Sequence, residues 1–402
     1  MRCDPGRLYA LKALRARRET AHFGAQVSAT EGQPQAGISA TDDGNRLHAK
    51  VCAKEIRVRI SLPISNRNFT AAPDQSLLDA ALGASLNLPH SCKSGHCGSC
   101  RARLLEGKIH YPGGRPLGLT DAEAADGWVL LCQARALTDV AIEAIEPVSP
   151  EEILTKRLPA RIERVELLSH DVMGVYLRLP VAERLAFEAG QYIDIMLPRG
   201  RRRSFSIASP PHDSRLLELH VRRVAGGEFS DSLFTADQRR ALVTIEGPLG
   251  HFRYRASTSP MLLVGGGTGL APLLSILRHV IENGIQRDIT IHWGVRSERD
   301  LYAESTLRAL LDRAPSTRYV PVLSEPSAAW RGARGWVHEA VLNDVVSLAT
   351  HEVYAAGPPA MIEAVRREFV ARGLDPGRLF FDSFDYAPDV LARQRASAST
   401  KS

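Results

Sequence analysis

Four of the six cysteines stand close together, as Cys92, Cys97 and Cys100 with Cys132 further on. Three thiols spaced x4 and x2, with a distant fourth, have the ligand spacing of a [2Fe–2S] centre. Four thiolates must converge on two irons, so three come from one tight loop and the fourth arrives from elsewhere. Ser94, Gly95, Gly98 and Ser99 are small enough for the backbone to wrap such a centre. They let amide N–H groups aim at the sulfurs, which favours the reduced, more negative state. Zinc usually takes C-x2-C pairs at two separate points, and only one such pair exists. Cys3 and Cys52 lack matching partners and read as free thiols. The N-terminus shows no compact apolar core of a secretory signal, so the grouping favours metal ligation over disulfides.

A second group of residues suits phosphate. Arg203 closes a run of three arginines before Ser204-Phe205-Ser206, and a guanidinium fork pairs two phosphate oxygens at once. Glu218, His220 and Arg222 alternate with Leu217, Leu219 and Val221, which places the polar three on one face of a strand. That face suits a dinucleotide and equally a solvated surface. Gly265–Gly269 reads Gly-Gly-Gly-Thr-Gly between a short apolar strand and a helical run. It is a glycine-rich turn, but not the G-x-G-x-x-G dinucleotide fingerprint.

The elements that position these residues fall into blocks. Residues 1–54 carry nine Lys/Arg and five Asp/Glu, so most of the formal charge of +6 lies there. This segment reads as a disordered or weakly structured extension, with one possible helix at 8–15; an organelle-targeting segment is the alternative. Residues 55–147 alternate as a strand at 56–60, turn helical at 76–82, and return to strands at 101–105 and 141–145, an α+β domain. The prolines at 147 and 150 mark a linker over 148–157. Residues 158–257 are short alternating strands at 191–197 and 217–222 among Gly and Pro turns, an antiparallel barrel. Residues 258–386 alternate strands (261–264, 289–293, 319–323, 352–355, 379–384) with helices (from 270, and 359–372), a parallel sheet wrapped by helices. Residues 387–402 read as a tail.

The 44% hydrophobic and 24% charged content is that of a globular protein. No apolar run reaches the roughly 20 residues of a membrane span, and the folded part offers no basic stripe interleaved with aromatics for nucleic acid. A cytoplasmic protein is expected.

Leu88-Pro89-His90-Ser91-Cys92-Lys93-Ser94-Gly95-His96-Cys97-Gly98-Ser99-Cys100 closely resembles the cluster loop of plant-type ferredoxins. Followed by the two later blocks, it resembles the ferredoxin–flavin–nicotinamide reductases. These serve ring-hydroxylating dioxygenases, multicomponent monooxygenases and CDP-6-deoxy-glucoseen deoxygenation, and the likeness spans about 55–386. It implies a multidomain protein: a plant-type ferredoxin (β-grasp) domain, an antiparallel barrel for FAD, and a ferredoxin-reductase-like α/β domain for NAD(P)H.

The resemblance also implies roles. Arg203-Ser204-Phe205-Ser206 resembles the flavin signature Arg-x-Tyr-Ser/Thr, with Phe205 replacing tyrosine and losing a phenolic hydrogen bond. Arg203 would meet the diphosphate, and Ser206 would lie near flavin N5. Gly227 and Ser230 resemble the segment that lays a helix N-terminus under the diphosphate. Gly267-Thr268-Gly269, Gly294 with Arg296, and Gly357-Pro358 resemble the strand ends that receive the nicotinamide nucleotide. Many relatives carry cysteine where this chain has Ala356. Phe384 lies where relatives often set a residue against the flavin; core packing is the other reading. Arg296 and Arg299 could meet a 2′-phosphate, but the resemblance favours NADH, as it favours FAD over FMN.

The expected enzyme takes hydride from NAD(P)H onto FAD and passes single electrons through the [2Fe–2S] centre to a terminal oxygenase. A CDP-6-deoxy-3,4-glucoseen reductase working with a sugar-nucleotide dehydratase is the alternative. A redox sensor or binding module is a third reading of another class.

Overall fold

A computed structural model describes residues 57–86, 88–90, 93, 95, 98–144 and 153–384. The extension 1–54, the linker prolines Pro147 and Pro150, the tail 387–402, Cys92 and Cys97 lie outside the described residues.

Strands β1 (Val58–Leu62) and β2 (Arg67–Ala71) pair antiparallel. Helix α1 (Leu77–Gly83) follows, its first turn capped by Ser76 Oγ accepting from Asp79 N. The domain continues with β3 (Arg101–Glu106), β4 (Ile109–His110), α2 (Asp121–Ala125), β5 (Trp128–Leu130), β6 (Arg135–Ala136) and β7 (Val140–Glu143). Its main sheet runs β2-β1-β7-β3-β5, with β1 and β7 parallel at the centre. Helix α1 lies on this sheet, burying Leu77, Leu78, Ala80 and Ala81 in one core with Ile60, Leu62 and Ile142. Each such leucine contributes about 1.5–3 kcal/mol by burial. This is the β-grasp arrangement, and it carries the cluster loop between α1 and β3.

Strands β8 (Lys156–Ser169), β9 (Val172–Arg178), β10 (Tyr192–Met196), β11 (Arg202–Ser206), β12 (Leu216–Arg222) and β13 (Leu242–Leu249) pair antiparallel in the order β11-β10-β13-β8-β9-β12. A bridge from Ile207 to Leu219 joins the two ends and closes the barrel, and the short helix α3 (Ser232–Thr235) lies between β12 and β13. Leu217, Leu219 and Val221 point into its core beside Ile193, Ile195 and Ile245.

The third part contains β14 (Met261–Gly266), α4 (Leu270–Glu282), β15 (Ile289–Val295), α5 (Glu304–Leu311), β16 (Thr317–Leu323), β17 (Ala333–Arg334), α6 (Val337–Asp344), β18 (Glu352–Gly357), α7 (Pro359–Ala371) and β19 (Leu379–Ser383). Every pair in this sheet is parallel, in the order β17-β16-β15-β14-β18-β19. The chain moves from β14 toward one edge, then returns to its other side at β18. Strand β14 is therefore the switch point, where open α/β sheets take ligands at the carboxyl ends of their strands. Separate apolar cores cover the two faces, one with α4 and α5 and one with α6 and α7. Among the described residues no helix is long and apolar enough to cross a membrane.

Candidate functional site

Cys100 and Cys132 are both buried. Pairing of β3 with β5 brings them together: Arg101 lies opposite Leu130, and Leu131 N donates to Cys100 O at 3.0 Å. Both thiols lie near the phenol of Tyr111, whose pKa is raised by burial and then by the two sulfurs. Gly98 sits at φ +74°, a left-handed conformation that a side chain resists. Two buried cysteines side by side at a loop of this geometry fit the ligand set of a [2Fe–2S] centre.

The cluster loop also rests on the barrel. His90 is buried, and burial, with Lys93 alongside, pushes its pKa down to about 3, so the ring is neutral. Its Nδ1–H donates to Leu88 O at 2.7 Å, and its ring meets Tyr192 and His251 edge-on at 6.1 and 5.7 Å. Lys93 Nζ reaches Asp194 Oδ2 at 3.4 Å, and Ser204 Oγ donates to Asp194 Oδ1 at 2.5 Å. Arg202 stands 3.7 Å from the same carboxylate. Asp194 side chain is only 2% exposed, so this buried charge joins the cluster loop to strand β11. Asp194→Ala leaves Lys93 and the Ser204 hydroxyl without their carboxylate, while Arg202 keeps its ion pair with Glu246, so the expected loss in chemical denaturation is about 1–3 kcal/mol. A loss under about 0.5 kcal/mol, the scale of ordinary surface changes, would contradict that role.

The two flavin segments meet. An Arg201–Glu228 ion pair ties the flank of β11 to the 226–230 loop, and the rings of Phe205 and Phe229 lie 5.5 Å apart. Arg203 is half-buried on β11, Ser204 is exposed, and Ser206 is buried opposite Tyr192. Gly227 lies under Ser230, whose Oγ accepts from Val224 N at 3.3 Å; Arg223 Nε donates to Asp231 at 2.7 Å to close the loop. The helix that follows is short, Ser232–Thr235.

The nucleotide segments meet at the switch point. Gly266 of β14 lies opposite Gly294 of β15, and Gly265 opposite Ala356 of β18. Gly267–Gly269 make one 3-10 turn with Thr268 at its centre. The turn packs so tightly that a Cβ on Gly269 would sit 2.0 Å from Ala356 O. Pro358 lies beside Gly266, and Phe384 N donates to Gly357 O at 3.0 Å while its ring packs on the core. Glycine at 294 leaves room for Val337, whose Cβ a new side chain would meet at 2.7 Å. Arg296 and Arg299 are exposed just beyond β15.

The polar face of β12 turns to the nucleotide domain. Arg278 of α4 donates to Glu218 Oε2 at 2.6 Å and to Ala208 O at 2.9 Å. His220 bonds Glu218 at 2.9 Å through Nε2 and Tyr302 Oη at 3.0 Å through Nδ1. Tyr302 packs edge-on against Trp293, whose Nε1–H donates to Gly267 O at 2.9 Å. The Arg222 guanidinium would lie 3.5 Å from a Cβ on Gly267. Burial alone pushes Glu218 up, but His220 and Arg278 overcome it and hold the carboxyl at about 2, against an ordinary 4.5. A depressed acid contributes stability above its unfolded value and loses it as pH falls through the folded one. Glu218 is therefore worth about 3 kcal/mol, fading from about pH 4.5 to 2. Glu218→Gln should flatten the acid-unfolding curve across that window; an unchanged slope would contradict the linkage.

Three family models match in series: a 2Fe-2S iron-sulfur cluster binding domain over 63–137, an oxidoreductase FAD-binding domain over 159–254, and an oxidoreductase NAD-binding domain over 263–367. The CDP-6-deoxy-L-threo-D-glycero-4-hexulose-3-dehydrase reductase of Yersinia pestis is 36% identical over 327 residues, covering 81% of this chain and 98% of that protein. The chain belongs to the ferredoxin–flavin–nicotinamide reductase family. The reductase component 1 of terephthalate 1,2-dioxygenase from Comamonas is also 36% identical, over 82% of this chain and 98% of its own length. A crystal structure of an Amycolatopsis cytochrome P450 reductase is 34% identical and superposes with a TM-score of 0.70, covering 82% of this chain and all of that one.

The family resemblance read from the cluster loop is thus borne out, as are the three-part fold and the cofactors: this reductase uses a [2Fe–2S] centre, FAD and NAD(P)H. Of the residues singled out from sequence, Cys100 and Cys132 converge, as do the β11 and 226–230 segments and the three strand ends. Asp194, Lys93 and Tyr302 were not singled out. An aspartate inside an alternating apolar strand was the available signal for Asp194.

Proposed function

We propose that the chain is the NADH-oxidising electron donor of a terminal oxygenase, with domains at 55–147, 158–257 and 258–386 and a linker at 148–157 between the first two, whose last two residues already belong to β8. The observation that carries this reading is the Lys93–Asp194–Ser204 bridge, which seats the cluster loop directly on the flavin strand. When bound, FAD takes a two-electron hydride and the iron–sulfur centre carries single electrons. The chain's own residues supply position.

In this reading Cys92, Cys97, Cys100 and Cys132 hold the cluster. Arg203 pairs the flavin diphosphate beside Gly227 and Ser230, and Ser204 orders the strand through Asp194. Phe205 lies along the ring system, Ser206 presents a hydroxyl toward N5, and Phe384 covers the flavin face. Gly267, Thr268 and Gly269 receive the nucleotide diphosphate with Arg222 alongside, while His220 sets the turn through Tyr302 and Trp293. Gly294, Arg296, Gly357 and Pro358 line the remaining edge. A cytoplasmic setting suits thiolate ligands, which a reducing compartment preserves.

Steady-state assays with NADH and NADPH test the donor, and NADH is expected to have at least a tenfold higher kcat/KM. NADH-driven reduction of a terminal oxygenase's iron centre supports the acceptor. A second reading rests on the Yersinia pestis relative: turnover only with a CDP-hexulose dehydrase would move the assignment there.

A further inference from the structure

The cluster loop touches the third domain as well as the barrel. Arg366, on the helix that follows Gly357-Pro358, extends its guanidinium to the loop: a Cβ on Gly98 would lie 3.6 Å from Arg366 Nη1. The side chain is 25% exposed, and its guanidinium stands 5.3 Å over the Phe381 ring, which fixes where the charge points. Its close anionic partner among the described residues is Glu363, at 3.4 Å and 63% exposed. Arg101, next to Cys100, spends its own charge on Glu123 at 2.9 Å and on Gly118 O. Arg366 is therefore a cation held beside Gly98, between two cysteines of the loop, with Glu363 at its side and Glu123, which pairs with Arg101, within reach of its charge.

We propose that Arg366 tunes the iron–sulfur centre from the nucleotide domain: its charge favours the reduced cluster and so raises the cluster's potential. The inference rests on the cluster assignment above. A cluster gains negative charge on reduction, so a fixed cation at the loop stabilises the product and not the reactant. Partial exposure limits the effect to a modest size. The fold supplies the reason for the placement: α7 begins at the nucleotide site and reaches the cluster loop with Arg366 at the start of its third turn, so one rigid helix spans both.

The test is a redox titration of the full chain, with the cluster followed by electron paramagnetic resonance and the flavin by absorbance. Arg366→Gln should lower the equilibrium constant for cluster reduction about threefold, roughly 30 mV at 59 mV per tenfold for one electron. The flavin potential should not move, and Arg366→Lys should recover most of the loss. Glu363→Gln should shift the cluster the other way. An unchanged cluster potential in Arg366→Gln, with the cluster signal intact, overturns the proposal. Where that variant loses its cluster, an unchanged or lowered potential in Glu363→Gln overturns it. A parent chain without any cluster signal would instead overturn the ligand assignment and this inference with it.

Discussion

Cys132→Ser is expected to leave NADH-driven flavin bleaching within about twofold of the parent and to abolish one-electron output. Cys132 follows β5 at the same end of the β3–β5 ladder as Cys100, the other described cysteine there. A serine oxygen is a harder ligand that gives up its proton far less readily than a thiol, so the set holds the irons much more weakly. The reduced-cluster resonance should vanish, and NADH-dependent cytochrome c reduction should fall at least about 100-fold. Ferricyanide, which draws electrons directly from a flavin, should still be reduced. Retention of the resonance and of cytochrome c reduction would show that Cys132 is not a ligand.

Gly269→Ala should produce the complementary defect. The new Cβ would meet Ala356 O at 2.0 Å and its carbonyl carbon at 2.5 Å. Both obstacles are backbone, so relief requires the turn to part from β18 by about an ångström. A displacement of that size in a hydride-transfer site costs about 100-fold in rate. NADH should therefore reduce the flavin about 100-fold more slowly in stopped flow, while dithionite reduces flavin and cluster as before. Gly83→Ala, where a Cβ meets nothing within 4 Å, is the control. Parent-like flavin reduction in Gly269→Ala would detach this turn from the nucleotide.

Features carried by short-range chemistry were legible in the sequence. Cys92, Cys97 and Cys100 sit within one loop, and the Gly265–Gly269 turn announces itself between an apolar strand and a helix. The parallel sheet follows from β/α alternation, and β14, β15, β18 and β19 lie within a few residues of their expected places. Strand β8 was harder to see, because Arg161, Glu163, Arg164 and Glu166 keep its outer face charged over 14 residues. The β12 face read equally as a dinucleotide surface and as solvated. It is instead largely buried against Arg278 and Tyr302, partners 60 and 82 residues away. Asp194 had the same obstacle: its burial makes sense only with Lys93, 101 residues earlier, brought alongside. Pattern reads periodicity well, but not which distant charge will neutralise a buried one.

The most direct test of the relay is an anaerobic NADH titration of the purified chain, watching flavin absorbance and the cluster resonance together. Joint reduction of both cofactors is the predicted result. Bleaching of the flavin with a cluster that stays oxidised, or no cluster at all, would contradict it.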